Sequence, residues 1–147
     1  RGLGDVYKRQ LMQYSLELDE KTVYELRADG LIISTSTGST AYSLSAGGSI
    51  ISPKLDVWSI IPILSHNLSS RPFVISSEQP LTVNLINGPK NEASISADGQ
   101  KDISVPFGKS ITINKKKDKL KLIHPKSYNF FEACREKLGW SIGTDKN

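Results

Sequence analysis

Apolar and polar residues alternate from Leu11 onward. Met12, Tyr14, Leu16 and Leu18 fall on one face, a polar break follows at Asp19-Glu20-Lys21, and a second run passes through Val23, Tyr24 and Leu26. Alternation of period two on both sides of a short polar break predicts a β-hairpin with one face turned to a core. Asp29-Gly30 punctuates the chain ahead of Leu31-Ile32-Ile33, an apolar, largely β-branched run that reads as a buried strand. Further strands are predicted over residues 57–64, 73–76, 81–86, 93–97, 103–105, 110–114 and 120–124, spaced by turn chemistry at Asn87-Gly88-Pro89, Asp98-Gly99 and Pro106-Phe107-Gly108. Two stretches have helical character. One covers about residues 40–46 and is stopped by Gly47-Gly48; the other covers residues 128–138, capped by Ser127, with Phe131, Cys134 and Leu138 on one face and Gly139 past its end. The expected fold is mainly β: a two-layer, antiparallel, β-sandwich-like domain with a short helix after a hydroxyl-rich loop and a carboxy-terminal helix. Residues 1–10 follow neither period and are expected to be an unmatched leader of doubtful origin, leaving one domain over residues 11–147.

Composition narrows the class without naming a function. The 147 residues are 37% hydrophobic and contain no unbroken apolar run of about eighteen residues, so a membrane partner is not expected. The amino terminus has no charged, then apolar, then small-residue pattern, and the single cysteine, Cys134, has no internal partner for a disulfide; a cytoplasmic location is expected. The net charge of +4 comes largely from Lys115, Lys116, Lys117, Lys119 and Lys121, which alternate with apolar residues as the solvated face of strands would. A basic β-module for nucleic acid would need aromatic residues interleaved with those lysines, and that run has none.

The chemically informative stretch is residues 28–48, ADGLIISTSTGSTAYSLSAGG, which sets Asp29, a series of hydroxyls, Gly38 and Tyr42 between a buried strand and a short helix. Such a loop turns backbone N–H groups and hydroxyls to one side, and a helix starting near Thr40 would add a positive dipole end for anionic or polar ligand groups. An ordinary Ser/Thr turn with a helix cap would have the same composition. In that reading Asp29 is a turn residue, Tyr42 a core aromatic and Arg27 a charge on a sheet face.

The order of the residues goes further. Asp29-Gly30-Leu31-Ile32-Ile33-Ser34-Thr35, then Thr37-Gly38-Ser39-Thr40-Ala41-Tyr42, then Ser45 and Gly47-Gly48 resemble the dinucleotide-binding segment of the NAD kinases. His66-Asn67-Leu68-Ser69-Ser70-Arg71-Pro72, Asp98-Gly99-Gln100, Leu122-Ile123-His124-Pro125 and Lys137-Leu138-Gly139-Trp140 are similar to later segments of the same family, so the resemblance runs from about Leu11 to Trp140. It departs at Ser36, where bacterial members commonly have proline. The resemblance implies transfer of the ATP γ-phosphoryl group to the 2′-hydroxyl of the adenosine ribose of NAD, with a divalent metal, magnesium, accompanying ATP. It implies that Arg27, Asp29, Thr40, Ala41, Tyr42, Ser43, Leu44 and Ser45 line the NAD site together with Gln100, with Leu64 a weaker member. The same resemblance assigns no catalytic or metal-binding residue to this chain: the family's Gly-Gly-Asp-Gly signature and its Asn-Glu or Asn-Asp pair belong to a part that these residues do not include. The chain is thus expected to be the NAD-binding domain, inactive alone, of an enzyme that works as a homodimer or homotetramer. A lipid kinase of the diacylglycerol or sphingosine type, whose second half is also a β domain, is the competing enzyme reading, and the Thr37 to Tyr42 motif speaks against it.

Overall fold

The structure, a computed structural model, describes residues 11–65, 70–118 and 120–139. The chain divides into two compact units, Arg1–Lys115 and Lys116–Asn147. The described part of the first unit forms strands β1 (Met12–Leu18), β2 (Lys21–Ala28), β3 (Gly30–Thr35), β4 (Val57–Ile63), β5 (Phe73–Ser76), β6 (Leu81–Asn87), β7 (Glu92–Ala97), β8 (Lys101–Pro106) and β9 (Ser110–Ile113). A 3-10 turn at Thr37–Thr40 and a single helical turn, α1 (Tyr42–Ser45), stand between β3 and β4. The strands make three antiparallel sheets, ordered β2-β1-β6-β9, β3-β4-β5 and β7-β8. The fold is mainly β and antiparallel, as the alternation predicted.

The alternation also sets which side of each strand is hidden. Tyr14 and Leu16 of β1, Leu81, Val83 and Leu85 of β6, and Trp58 and Ile60 of β4 meet in one buried cluster, so side chains from the first two sheets share a core. Leu31, Ile33, Phe73 and Ile75 close it from the second sheet, Ala93 and Val105 from the β7-β8 hairpin. Each fully buried leucine or isoleucine here contributes roughly 1.5–3 kcal/mol by leaving water. Tyr14 and Tyr24 pack edge to face at 6.2 Å, and Tyr24 meets Phe73 in the same way at 5.6 Å. Burial holds the Tyr14 hydroxyl well above its usual range and pushes that of Tyr24 up to about 12, because the phenolate would lose its hydration.

Turn chemistry differs in detail from expectation. Only Asp19 and Glu20 form the first hairpin turn, both with positive φ (52° and 61°), and Lys21 already belongs to β2. Two residues in the left-handed region match the right-handed twist of the flanking strands, which is why a two-residue loop closes this hairpin without glycine.

In the second unit α2 (Phe130–Leu138) is capped by Asn129, not Ser127: Asn129 Oδ1 accepts from the backbone N–H groups of Phe131 (3.0 Å) and Glu132 (3.4 Å). Gly139 ends the helix in the left-handed conformation, as expected. Cys134 is buried, while Phe131 and Leu138, expected beside it, are 50% and 40% exposed. Residues 120–124 are not a strand. An extended segment needs a neighbour for its backbone groups, and none of the described sheets pairs with this one; Leu120 and Ile123 stand 86% and 96% exposed. The lysine run is solvated but not in strands: Lys116, Lys117 and Lys121 are exposed, Lys119 lies outside the described residues, and Lys115 pairs with Asp56 at 2.9 Å.

Candidate functional site

The hydroxyl-rich segment folds as a lid on the second sheet. Strand alternation turns Ile33 and Ile60 toward the main core and leaves their neighbours Ile32 and Ile61, which pair across β3 and β4, on the opposite face. Ile61 is nevertheless fully buried, so something must cover it. A Cβ built on Gly48 would lie 3.3 Å from Ile61 Cγ1, which puts the far end of the loop back over the middle of β4. The chain therefore leaves β3 at Thr35, turns, and doubles back along the sheet before β4 begins.

Between loop and sheet lies a layer of small residues. Ser39 is fully buried; its hydroxyl donates to the Ser36 carbonyl at 2.7 Å and accepts from the Ile51 N–H at 3.0 Å. Ser43 is 1% exposed, and the Gly48 N–H donates to its carbonyl at 2.9 Å. Gly48 has to be glycine for this approach, since a Cβ there would stand 2.7 Å from both the Ser43 carbonyl oxygen and the Ser43 hydroxyl. The hydroxyls of Ser34 and Ser43 are buried without a hydrogen-bond partner.

The outer side of the loop is open. Thr37, Ala41 and Ser45 are exposed, and Tyr42 is 69% exposed, so it is not a core aromatic. Thr40 and Leu44 are half-buried. Ser43, a predicted site residue, is instead buried as a whole residue, and its carbonyl is taken by the Gly48 N–H, so the structure does not place it on the open side. The helix expected over residues 40–46 is interrupted: the 3-10 turn ends at Thr40, and Ala41, at φ −98° and ψ −138°, breaks the path before α1. Thr40 does not cap α1, which starts after Ala41 with no side-chain cap. A single turn also sums few peptide dipoles, so the expected positive helix end is small, and the open side of the loop presents chiefly hydroxyls and the Tyr42 ring.

The remaining four predicted residues stand elsewhere on the fold. Asp29, exposed, is the one residue between β2 and β3, where the chain passes from the first sheet to the second. Its N–H donates to the Ile63 carbonyl at 3.0 Å, which ties it to the end of β4 and sets it beside Leu64. Leu64 is 75% exposed and has a positive φ of 46°, a strained conformation for a branched residue. Arg27 lies on the exposed face of β2, where its guanidinium donates to Gln13 Oε1 at 3.3 Å beside a Gln13 to Glu25 bond of 2.6 Å. Gln100 closes the three-residue turn of the β7-β8 hairpin, an exposed tip in which Asp98 and Gly99 take positive φ. Residues 66–69, with His66, and Trp140 lie outside the described residues. A cavity of about 300 Å³ opens elsewhere, lined by Val23, Tyr24, Glu25, Leu26, Ser70, Arg71 and Phe73, none of them a predicted site residue. Among the described residues no three His, Cys, Asp or Glu side chains stand together as a metal site, and no helix is long and apolar enough to cross a membrane.

Fold and loop together define a β domain that presents polar backbone, hydroxyls and an aromatic ring over a covered sheet. Its sequence matches the family model of the ATP-NAD kinase C-terminal domain over residues 6–125, and the chain belongs to that family. It is 42% identical over 147 residues to the NAD kinase of Chromohalobacter salexigens, covering 95% of this chain and 50% of that protein. With the NAD kinase of Marinobacter nauticus it shares 46% identity over 134 residues, covering 90% and 45%. The chain thus spans about half the length of the curated relatives it matches. Among solved structures it superposes on an NAD kinase from Archaeoglobus fulgidus in complex with ATP, with a TM-score of 0.64 and 36% identity over 74% of this chain and 41% of that one. It superposes on yeast NADH kinase complexed with NADH with a TM-score of 0.83 over 94% and 42%, at 24% identity, a likeness of fold.

Proposed function

We propose that this chain is the part of an NAD kinase that places NAD for phosphorylation of its adenosine ribose 2′-hydroxyl by ATP. In that reaction the hydroxyl oxygen attacks the γ-phosphorus, the bond from the γ-phosphorus to the oxygen bridging it to the β-phosphate breaks, and a base takes the hydroxyl proton. Because phosphoryl transfer is mainly positioning and charge stabilisation, a domain that fixes the acceptor contributes directly to rate. The observation that carries the reading is the doubled-back loop, with Thr37, Ala41, Tyr42 and Ser45 open to solvent above a buried seat. The exposed Tyr42 ring suits stacking on a nicotinamide or adenine ring. The Asp29 carboxylate suits an amine or hydroxyl donor, and Leu64 beside it offers an apolar wall. Arg27 and Gln100 would join from the sheet face and the hairpin tip. Magnesium would accompany the ATP phosphates and finds no carboxylate cluster among the described residues. A cytoplasmic homo-oligomer, dimer or tetramer, would be the setting, with base and ATP phosphates held outside this chain.

Titration of NAD into the chain, followed by calorimetry and by melting, tests the reading. NAD should raise the melting temperature without yielding NADP when ATP is added. Asp29→Asn should weaken NAD binding by about ten- to a hundredfold, the loss of a charge-assisted bond of roughly 1.5–3 kcal/mol, and leave the melting temperature of the free chain within a degree or two. A detergent-dispersed lipid that stabilises the chain where NAD does not would overturn the proposal in favour of a lipid kinase.

A further inference from the structure

We infer that Ser39, a residue that touches no ligand, is the positioning residue of the NAD loop. The inference rests on the reading of that loop as the NAD seat. Thr37–Thr40 and Tyr42–Ser45 are four residues each, and neither has a side-chain cap. Helical segments this short do not hold themselves in water, because nucleation costs more than one turn of hydrogen bonds returns. Their geometry must come from outside the segment. The fully buried Ser39 hydroxyl supplies it by joining both ends of the turn-back: it donates to Ser36 at the loop entrance and accepts from Ile51, twelve residues on, at the exit. The Gly48 to Ser43 bond repeats the stitch closer in. With the hydroxyl gone, the buried Ile51 N–H would have no partner, and the loop would regain the freedom to leave the sheet. Thr40, Ala41 and Tyr42 follow Ser39 directly, so their direction over the sheet depends on its anchor.

The test compares the 147-residue chain with Ser39→Ala and Ser39→Cys, the second of which keeps the side-chain shape at slightly larger volume and replaces the hydroxyl by a weak hydrogen-bonding group. Hydrogen exchange should quicken about tenfold at the amides of residues 40–48 and at Ile51 in both variants, with β1 and β6 amides unchanged. NAD affinity should fall about tenfold, since only the fraction of molecules with the loop in place binds. Unchanged loop exchange in both variants, or a cysteine variant that behaves like the parent, would overturn the inference. So would a loss of NAD affinity with loop exchange intact, because Ser39 would then act on the ligand itself. If the unaltered chain binds no NAD, the functional proposal fails while the exchange comparison still decides the role of Ser39.

Discussion

Two buried layers flank the second sheet, and they are held by different forces. On one side Ile60, Trp58 and Ile33 meet Tyr14, Leu16 and Leu81 in an apolar core. On the other side, where Gly48 approaches Ile61, the loop residues Ser39, Ser43 and Ile51 are buried, and the ordering comes from hydroxyl and backbone hydrogen bonds and from the absence of a side chain at Gly48. Apolar burial is non-directional and tolerates small shifts, so the first layer secures the fold. Hydrogen bonds fix direction, so the second layer orients the loop above it at little cost in bulk. A site that must aim several short polar groups at one ligand gains more from the second kind of layer.

That division can be broken by experiment. Leu16→Ala should have the largest effect on stability, a loss of roughly 2–5 kcal/mol in urea unfolding, because it opens a cavity at a fully buried position. NAD affinity per folded molecule should stay as it was. A loss of affinity at full folding would show that the two layers are not separable.

Alkali should act on the first layer alone. Tyr24 ionises at about 12 in the folded chain and Tyr14 higher still, whereas an unfolded tyrosine ionises at about 10. The unfolded chain therefore gives up these protons first. The stability conferred by keeping both rings neutral is complete below pH ~10 and declines as pH rises toward and past 12. Melting temperatures between about pH 10 and 12 should fall, and Tyr24→Phe should flatten the decline; a decline identical in that variant would remove Tyr24 from the account. The serines of the loop layer do not ionise in this range.

The smallest effect is expected at Ser36. Its φ of −54° lies within the range of proline, about −65 ± 15°, and Thr35 before it is in strand conformation, which proline prefers in its predecessor. Ser36→Pro should stabilise the chain by about 0.4–1 kcal/mol, by restricting the unfolded state, and tighten NAD binding slightly. A lower melting temperature would mean that the loop entrance needs the serine.

Much of this was legible in residue order. Alternation located β1, β2 and β4 through β9 to within a few residues, because a strand with one dry face must repeat every two positions, and Asp98-Gly99 marked the last hairpin. Alternation misled at residues 120–124, where the pattern is present but no described strand pairs with the segment. The loop was legible as chemistry: Asp29 and residues 37–45 could be singled out as polar groups around a glycine, and the resemblance to the family implied a ligand for them. Which of them face outward was not. Ser39 and Thr40 are neighbours with the same functional group, yet Ser39 is the buried anchor and Thr40 the half-exposed residue beside it. No local signal separates two adjacent hydroxyls when the partner of one, the Ile51 N–H, lies twelve residues away. Sequence by itself determined β1 to β9 to within a few residues, the approximate turn positions and the family, since these depend on period, on local backbone preference and on residue order. Tertiary structure alone decided that the loop doubles back over Ile61, that Ser39 joins Ser36 to Ile51, and that Asp29 sits beside Leu64, because each depends on groups twelve or more residues apart meeting at hydrogen-bonding or van der Waals distance.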